Sequence, residues 1–225
     1  MKLKHFDLEN DIDFSNSHFF NVVCEDGHFS YKLIKEFYDM SLGGKGEFSL
    51  LENGKSLDIM KNVKVFVNLF DLNFDTKQIN SLILKEMLEE VKDCEYQKDF
   101  EEIRTKTNNY LKNLIHNLDI PLSFKEFDEE VLIKNVEMSI NTEGQTLIEK
   151  IFEYIEILLK LTKYKIFAFL NLKDFLSEKD CMYLKKFAEY NEIFILFFET
   201  RHTYTNAEEK TLYIDEDKCE FIDSN

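Results

Sequence analysis

The sequence predicts an α/β protein: an ATPase-like head of the degenerate P-loop type, with an α-helical leg inserted into it. Three observations lead there. The apolar runs Lys165–Leu170 and Ile193–Phe198 are separated by a helical stretch from about Ser177 to Tyr190. This is the pattern of buried parallel strands joined by a crossover helix. Strand patterns recur before and after a helical middle, which places the helices in an insertion. The head is therefore expected at residues 1–75 and 163–225, and the leg at 76–162. Finally, the first run ends at Asn171, where an ATPase core carries an acid that holds magnesium. A neutral amide is a much poorer ligand for that ion. The scaffold reads as one used for something other than hydrolysis, and no enzymatic activity is expected.

The elements follow in order. Phe19 to Cys24 reads as a strand, and Glu25-Asp26-Gly27 turns it into a helix with Phe29, Leu33, Ile34, Phe37 and Tyr38 at helical spacing. A glycine-containing loop spans Ser41 to Gly46. Phe48–Leu51 and Leu57–Met60 flank Asn53-Gly54, a strong hairpin signal. Lys64 to Leu69 is a strand, with Val63, Val65 and Val67 alternating onto one face. In the leg, Ile79 to Val91, Phe100 to Leu114 and Leu147 to Leu159 mark three helices, the last nearly on a coiled-coil seam. A loop with Pro121 and a short helix near Glu126–Asn135 lie between the second and third. Thr211–Ile214 and Cys219–Ile222 form a terminal hairpin around Asp215-Glu216-Asp217.

Composition bounds the function. The 225 residues suffice for a substantial core, and one proline with six glycines leaves little material for linkers. A formal charge of −16 argues against non-specific nucleic-acid binding over the whole surface, though not against a local basic groove. The acidic excess also suits divalent cations, since calcium takes mostly carboxylate and carbonyl oxygens. Cys24, Cys94, Cys181 and Cys219 show no zinc-site spacing, and Cys24 and Cys181 read as core thiols. The N-terminus lacks the apolar region of a signal peptide, and no stretch approaches the ~20 apolar residues of a membrane span. A soluble, cytoplasmic protein without a membrane partner is expected.

The motifs sharpen this reading. Gly54-Lys55-Ser56 ends like a phosphate loop, but Ser49 stands where the first glycine is required and the context is a hairpin. The topological equivalent, Cys24 to Phe29, offers Glu25 and Asp26, which repel phosphate. His202 follows the second buried strand, where several ATPase families place a γ-phosphate sensor, and reads here as a relic or a surface residue. Asp119, Glu126, Asp128, Glu129 and Glu130 cluster at the tip of the leg. They serve either as helix N-terminal acids or as a calcium site. The lysines are dispersed, so a DNA role requires that folding or assembly gather them.

Several segments together resemble one family. They are Val22–Asp26 with Phe29-Ser30, Asn117-Leu118-Asp119, Leu132-Ile133-Lys134, Leu161-Thr162-Lys163 leading to Asn171, Ile195–Glu199 and Ile214–Asp217. In this order they resemble the small adaptation protein of type II-A CRISPR loci, a family that forms rings around DNA ends. The resemblance implies an ATPase-related head not known for hydrolysis, a helical leg, and a homotetrameric ring with a positively charged hole. It also implies sequence-independent binding of double-stranded DNA ends and a ring supported by Ca2+. The implied role is acquisition of new spacers in antiviral defence, alongside the integrase proteins and the effector nuclease of the same locus. Carried over residue by residue, Asp119 is the first calcium ligand, followed by Glu126, with Asp128 and Glu129 displaced by a short insertion around Pro121–Ser123. Lys134 and Lys163 fall on the DNA side, joined by Lys45, Lys55 and Lys61 from the hairpin region. The alternatives are a degenerate ATPase-fold interaction protein and a metal-dependent nuclease built on Asp119 and its neighbours.

Overall fold

Two short strands open the chain, β1 (Lys2–Lys4) and β2 (Ile12–Asp13). They are too brief to leave an alternating pattern in the sequence. In the computed structural model the chain is described over residues 1–70, 72, 74, 76–92, 94–118, 120–136, 138–201 and 209–224. It divides into two units, residues 1–72 with 142–225, and residues 73–141.

In the first unit, β3 (Phe19–Cys24) is buried at every position. The two-residue turn Glu25-Asp26 feeds α1 (Gly27–Ser41), which buries Phe29, Leu33 and Phe37. The hairpin β4 (Ser49–Glu52) and β5 (Lys55–Leu57) follows, turning through Asn53 and Gly54 at φ 51° and 77°. Both left-handed values are those of a type I′ turn. Replacing Gly54 by alanine should cost about 1 kcal/mol, because a Cβ is strained there. Urea denaturation reads that loss.

Beyond the hairpin the chain departs from the strand expected at Leu57–Met60. Asp58 accepts a hydrogen bond from the Met60 amide and caps α2 (Ile59–Asn62), so Ile59 and Met60 are helical. Then β6 (Val63–Phe66) buries Val63 and Val65, while Val67 lies beyond its end and is exposed.

The second unit holds α3 (Lys77–Glu90), α4 (Cys94–Asn117) and α5 (Glu129–Lys134). The Asn108 side chain accepts from the Phe127 amide at 3.2 Å, and Phe127 stacks 6.3 Å from Phe100. These contacts hold the segment before α5 against α4.

The chain returns to the first unit with α6 (Leu147–Leu161), β7 (Ile166–Leu170), a 3₁₀ turn (Leu172–Asp174), α7 (Glu178–Tyr190), β8 (Phe194–Glu199), β9 (Lys210–Ile214) and β10 (Glu220–Ser224). The main sheet has the order β10-β9-β3-β8-β7-β6, parallel except for the β9–β10 hairpin. One face packs on α1 and on the small sheet β2-β1-β4-β5. The other is rich in phenylalanine, with Phe66 stacked on Phe169 at 4.5 Å and Phe19 edge-on to Phe197 at 5.2 Å.

The sequence pattern groups α6 with the leg, but the helix belongs to the first unit. Its Tyr154 meets Phe66 at 5.5 Å, and its Phe152 stacks on Phe187 of α7 at 4.7 Å. Helical periodicity shows that a face is buried and is silent about what buries it.

Candidate nucleic-acid interface

The carboxyl end of a parallel sheet is the place where such folds bind ligands. Here the first amides of α1 are already engaged. Asp26 accepts from the Phe29 amide at 2.6 Å, and this bond holds its carboxyl below the usual range. A carboxylate thus occupies the helix N-terminus where a phosphate would sit. Asn171 is left-handed at φ 48°, and its side-chain oxygen accepts from the amide and the hydroxyl of Thr200 at 3.0 and 3.2 Å. It fastens the end of β7 to the end of β8. His202 lies outside the described residues.

Beside this junction lie buried charges that the sequence pattern does not single out. Lys173 Nζ meets Glu209 Oε2 at 2.5 Å with both side chains almost wholly buried, and it also lies 5.3 Å from the Phe197 ring centre. One oxygen of Glu199 accepts from the Lys173 amide at 3.3 Å, while the other is buried without a hydrogen-bond partner among the described residues. Desolvation pushes this carboxyl up to about 7. Arg201 turns outward to Asp174 at 2.7 Å. No local motif marks these residues, because only the approach of β8, β9 and the 3₁₀ turn makes them interior.

The lysines expected on the DNA side fall in two places. Lys45, Lys55, Lys61 and Lys163 are exposed in the first unit, and contacts of neighbouring residues bring their segments together around α2. The Lys165 amide donates to the Asn62 carbonyl at 2.8 Å, next to Lys61 and two residues after Lys163. The Lys165 ammonium grips both oxygens of Glu52 at 2.8 Å, and Glu52 is the register partner of Lys55. Gly43 abuts Met60, which brings the loop carrying Lys45 to the same helix. The nearby acids Glu52 and Asp58 are partly neutralised by Lys165 and by Lys61, the latter at 3.7 Å, while Glu47 stays exposed. Lys64 on β6 is half-buried, and desolvation lowers its pKa. In the second unit Lys134 pairs with Glu130. With Lys77 it lines an open cleft of about 760 Å³, together with Ile83, Leu84, Ile133 and Met138.

Of the expected calcium ligands, Glu126, Asp128 and Glu129 are described, all at or just before the start of α5. Asp119 lies outside the described residues. Asp128 caps α5: one oxygen accepts from the Val131 amide at 2.8 Å, and the other lies 3.4 Å from Lys125. That backbone bond chiefly lowers its pKa. Glu126 is exposed and precedes the cap, and Glu129 opens the helix behind it. Among the described residues no group of three or more His, Cys, Asp or Glu is placed to hold a metal ion. The described carboxylates therefore do not fit a calcium ion, which needs six to eight oxygens. Among the same residues no helix is long and apolar enough to cross a membrane.

The family model described as CRISPR-associated protein (Cas_Csn2) matches residues 41–218, from the end of α1 to the turn after β9. This is the greater part of the chain: all of the second unit, and the first unit without residues 1–40 and 219–225. The chain belongs to the type II-A CRISPR-associated Csn2 family, the spacer-acquisition family, and its role lies in CRISPR adaptation.

Proposed function

We propose that this chain serves adaptation as a non-enzymatic protein that binds the ends of double-stranded DNA, without sequence preference, in a closed ring of four copies. The observation that carries the reading is that the exposed Lys45, Lys55, Lys61 and Lys163 stand on segments that meet around α2, on a chain whose net charge is −16. On such a chain phosphate affinity has to come from a local concentration of cations. Contacts to phosphate fix position and carry no sequence information. The Asp26 cap and the Asn171 tether support a head that is an ATPase-type scaffold without turnover. The integrase proteins and the effector nuclease of the locus are the expected partners.

A gel-shift comparison of linear and covalently closed circular duplexes tests the ring. Binding to linear DNA alone is expected, whereas equal binding to both would mean an open groove. Affinity should fall steeply with salt. Replacing the four lysines by alanine should reduce the log–log salt slope by about 0.9 for every phosphate that is no longer neutralised. An unchanged slope would remove this patch from the interface. Running each arm with calcium and with EGTA decides the ion separately. Calcium-independent binding would discard the ion and leave the DNA interface standing. The second reading, an interaction protein on a degenerate ATPase fold, is favoured by the occupied α1 N-terminus and expects no binding to either DNA.

A further inference from the structure

The loop that carries Lys45 is anchored on α1 from both sides of that residue. Before it, the Gly43 amide donates to the Met40 carbonyl at 3.0 Å and the Gly44 amide to the Asp39 carbonyl at 2.8 Å. After it, the Glu47 amide donates to Glu36 Oε1. Gly46 lies so close to the helix that a Cβ there would stand 2.6 Å from Met40 Sδ and 2.7 Å from Glu36 Cγ. Lys45 is exposed between these anchors.

Glu36 is backed from the interior by His5. The His5 Nε2 atom lies 3.3 Å from the same Oε1, with the imidazole wholly buried and the Glu36 side chain 16% exposed. The Asp7 amide donates to His5 Nδ1 at 3.1 Å, so the neutral ring carries its proton on Nε2, facing Glu36. The approach is a contact of dipole and charge, not a well-aligned hydrogen bond. Phe48, just past the loop, holds the ring in place at 4.4 Å between centres. Lys32, one turn before Glu36, pairs with Asp7 at 2.5 Å and leaves Glu36 to the loop. Neither His5 nor Glu36 falls within residues 41–218 matched by the family model.

We propose that Glu36, backed by His5, is a positioning residue for DNA: it fixes the loop at residues 43–47 so that Lys45 is presented to a phosphate. The inference rests on the reading of Lys45 as a phosphate ligand. A tethered loop has already lost the freedom that a loose one would have to give up on binding. The sign of the effect is what separates this role from plain electrostatics. An acid near a phosphate site repels DNA, so its removal alone should tighten binding. A positioning acid does the opposite when removed.

The test uses the full chain with linear duplex DNA at several salt concentrations, and hydrogen exchange of the Glu47 amide without DNA. Glu36→Ala should speed that exchange by about tenfold or more, since the lost bond is to a charged acceptor. Glu36→Gln keeps an acceptor oxygen and should restore both exchange and DNA binding towards those of the unaltered chain. Despite the lost negative charge, Glu36→Ala should weaken binding and lower the log–log salt slope by about 0.9 for each phosphate that Lys45 no longer neutralises. Gly46→Ala displaces the carboxylate without changing the charge and should act in the same direction. In a Lys45→Ala background, Glu36→Ala should weaken binding no further. Unchanged exchange at Glu47 overturns the anchor. Faster exchange with undiminished binding, where Lys45→Ala alone weakens it, overturns the positioning role and leaves Lys45 in the interface. If Lys45→Ala alone changes neither affinity nor slope, the proposal falls with that residue while the other three lysines still carry the DNA reading. An unaltered chain that binds no duplex overturns both.

Discussion

Replacing Lys173 by methionine is expected to destabilise the protein by about 3–5 kcal/mol, the cost of leaving one partner of a buried ion pair behind. Its ammonium lies 2.5 Å from Glu209 Oε2, with the side chains 0% and 2% exposed. Methionine keeps most of the volume and the contact with Phe197, so the loss reports the charge rather than a cavity. The double variant Lys173→Met, Glu209→Leu should recover most of that loss, because an apolar pair removes two desolvation penalties together. A urea-denaturation cycle over the four proteins measures this. If the double variant is as unstable as the sum of the singles, the charges are not coupled and the account fails.

The second large effect concerns Glu199. Its carboxyl is raised to about 7 first by desolvation, with Asp174 adding repulsion and with the Lys173 amide, the Lys173 charge and Arg201 opposing the rise. A raised value means that the folded state binds more protons than the unfolded chain between about 4.5 and about 7. The contribution is fully present below the unfolded value and is lost as pH rises through the folded one. Glu199→Gln keeps the shape and removes the titration. The stability difference between wild type and variant should therefore change by about 2–3 kcal/mol between pH 5 and pH 8, since a tenfold difference in proton affinity between the two states is worth roughly 1.4 kcal/mol. Using the difference cancels the slopes of all other carboxylates. Parallel stability profiles for the two proteins would show that Glu199 does not titrate from a buried, underpartnered position.

Much of this molecule is legible along the chain. Ile166–Leu170 and Phe194–Glu199 announce themselves as buried parallel strands, and Asn53-Gly54 fixes its hairpin, because each depends on local pattern or backbone conformation. Family membership is legible too, since it rests on ordered segments rather than on one motif. The strands β1 and β2 are not, being too short for a period. The placement of α6 escapes as well: its apolar face would suit a helical bundle or a sheet equally, and Phe66 and Phe187 decide which.

The candidate site divides in the same way. The sequence supplies the residue types, lysines in the hairpin region and acids near Asp119, and the absence of a phosphate loop. Only the tertiary structure draws the segments of Lys45, Lys55, Lys61 and Lys163 around α2, turns Asp128 into a helix cap, and seals Lys173, Glu199 and Glu209 from water. The reason is physical. Local structure follows from backbone sterics and the period of apolar residues, both of which are written in consecutive positions. Burial of a charge and convergence of a surface depend on segments far apart in the chain, and only packing brings those together.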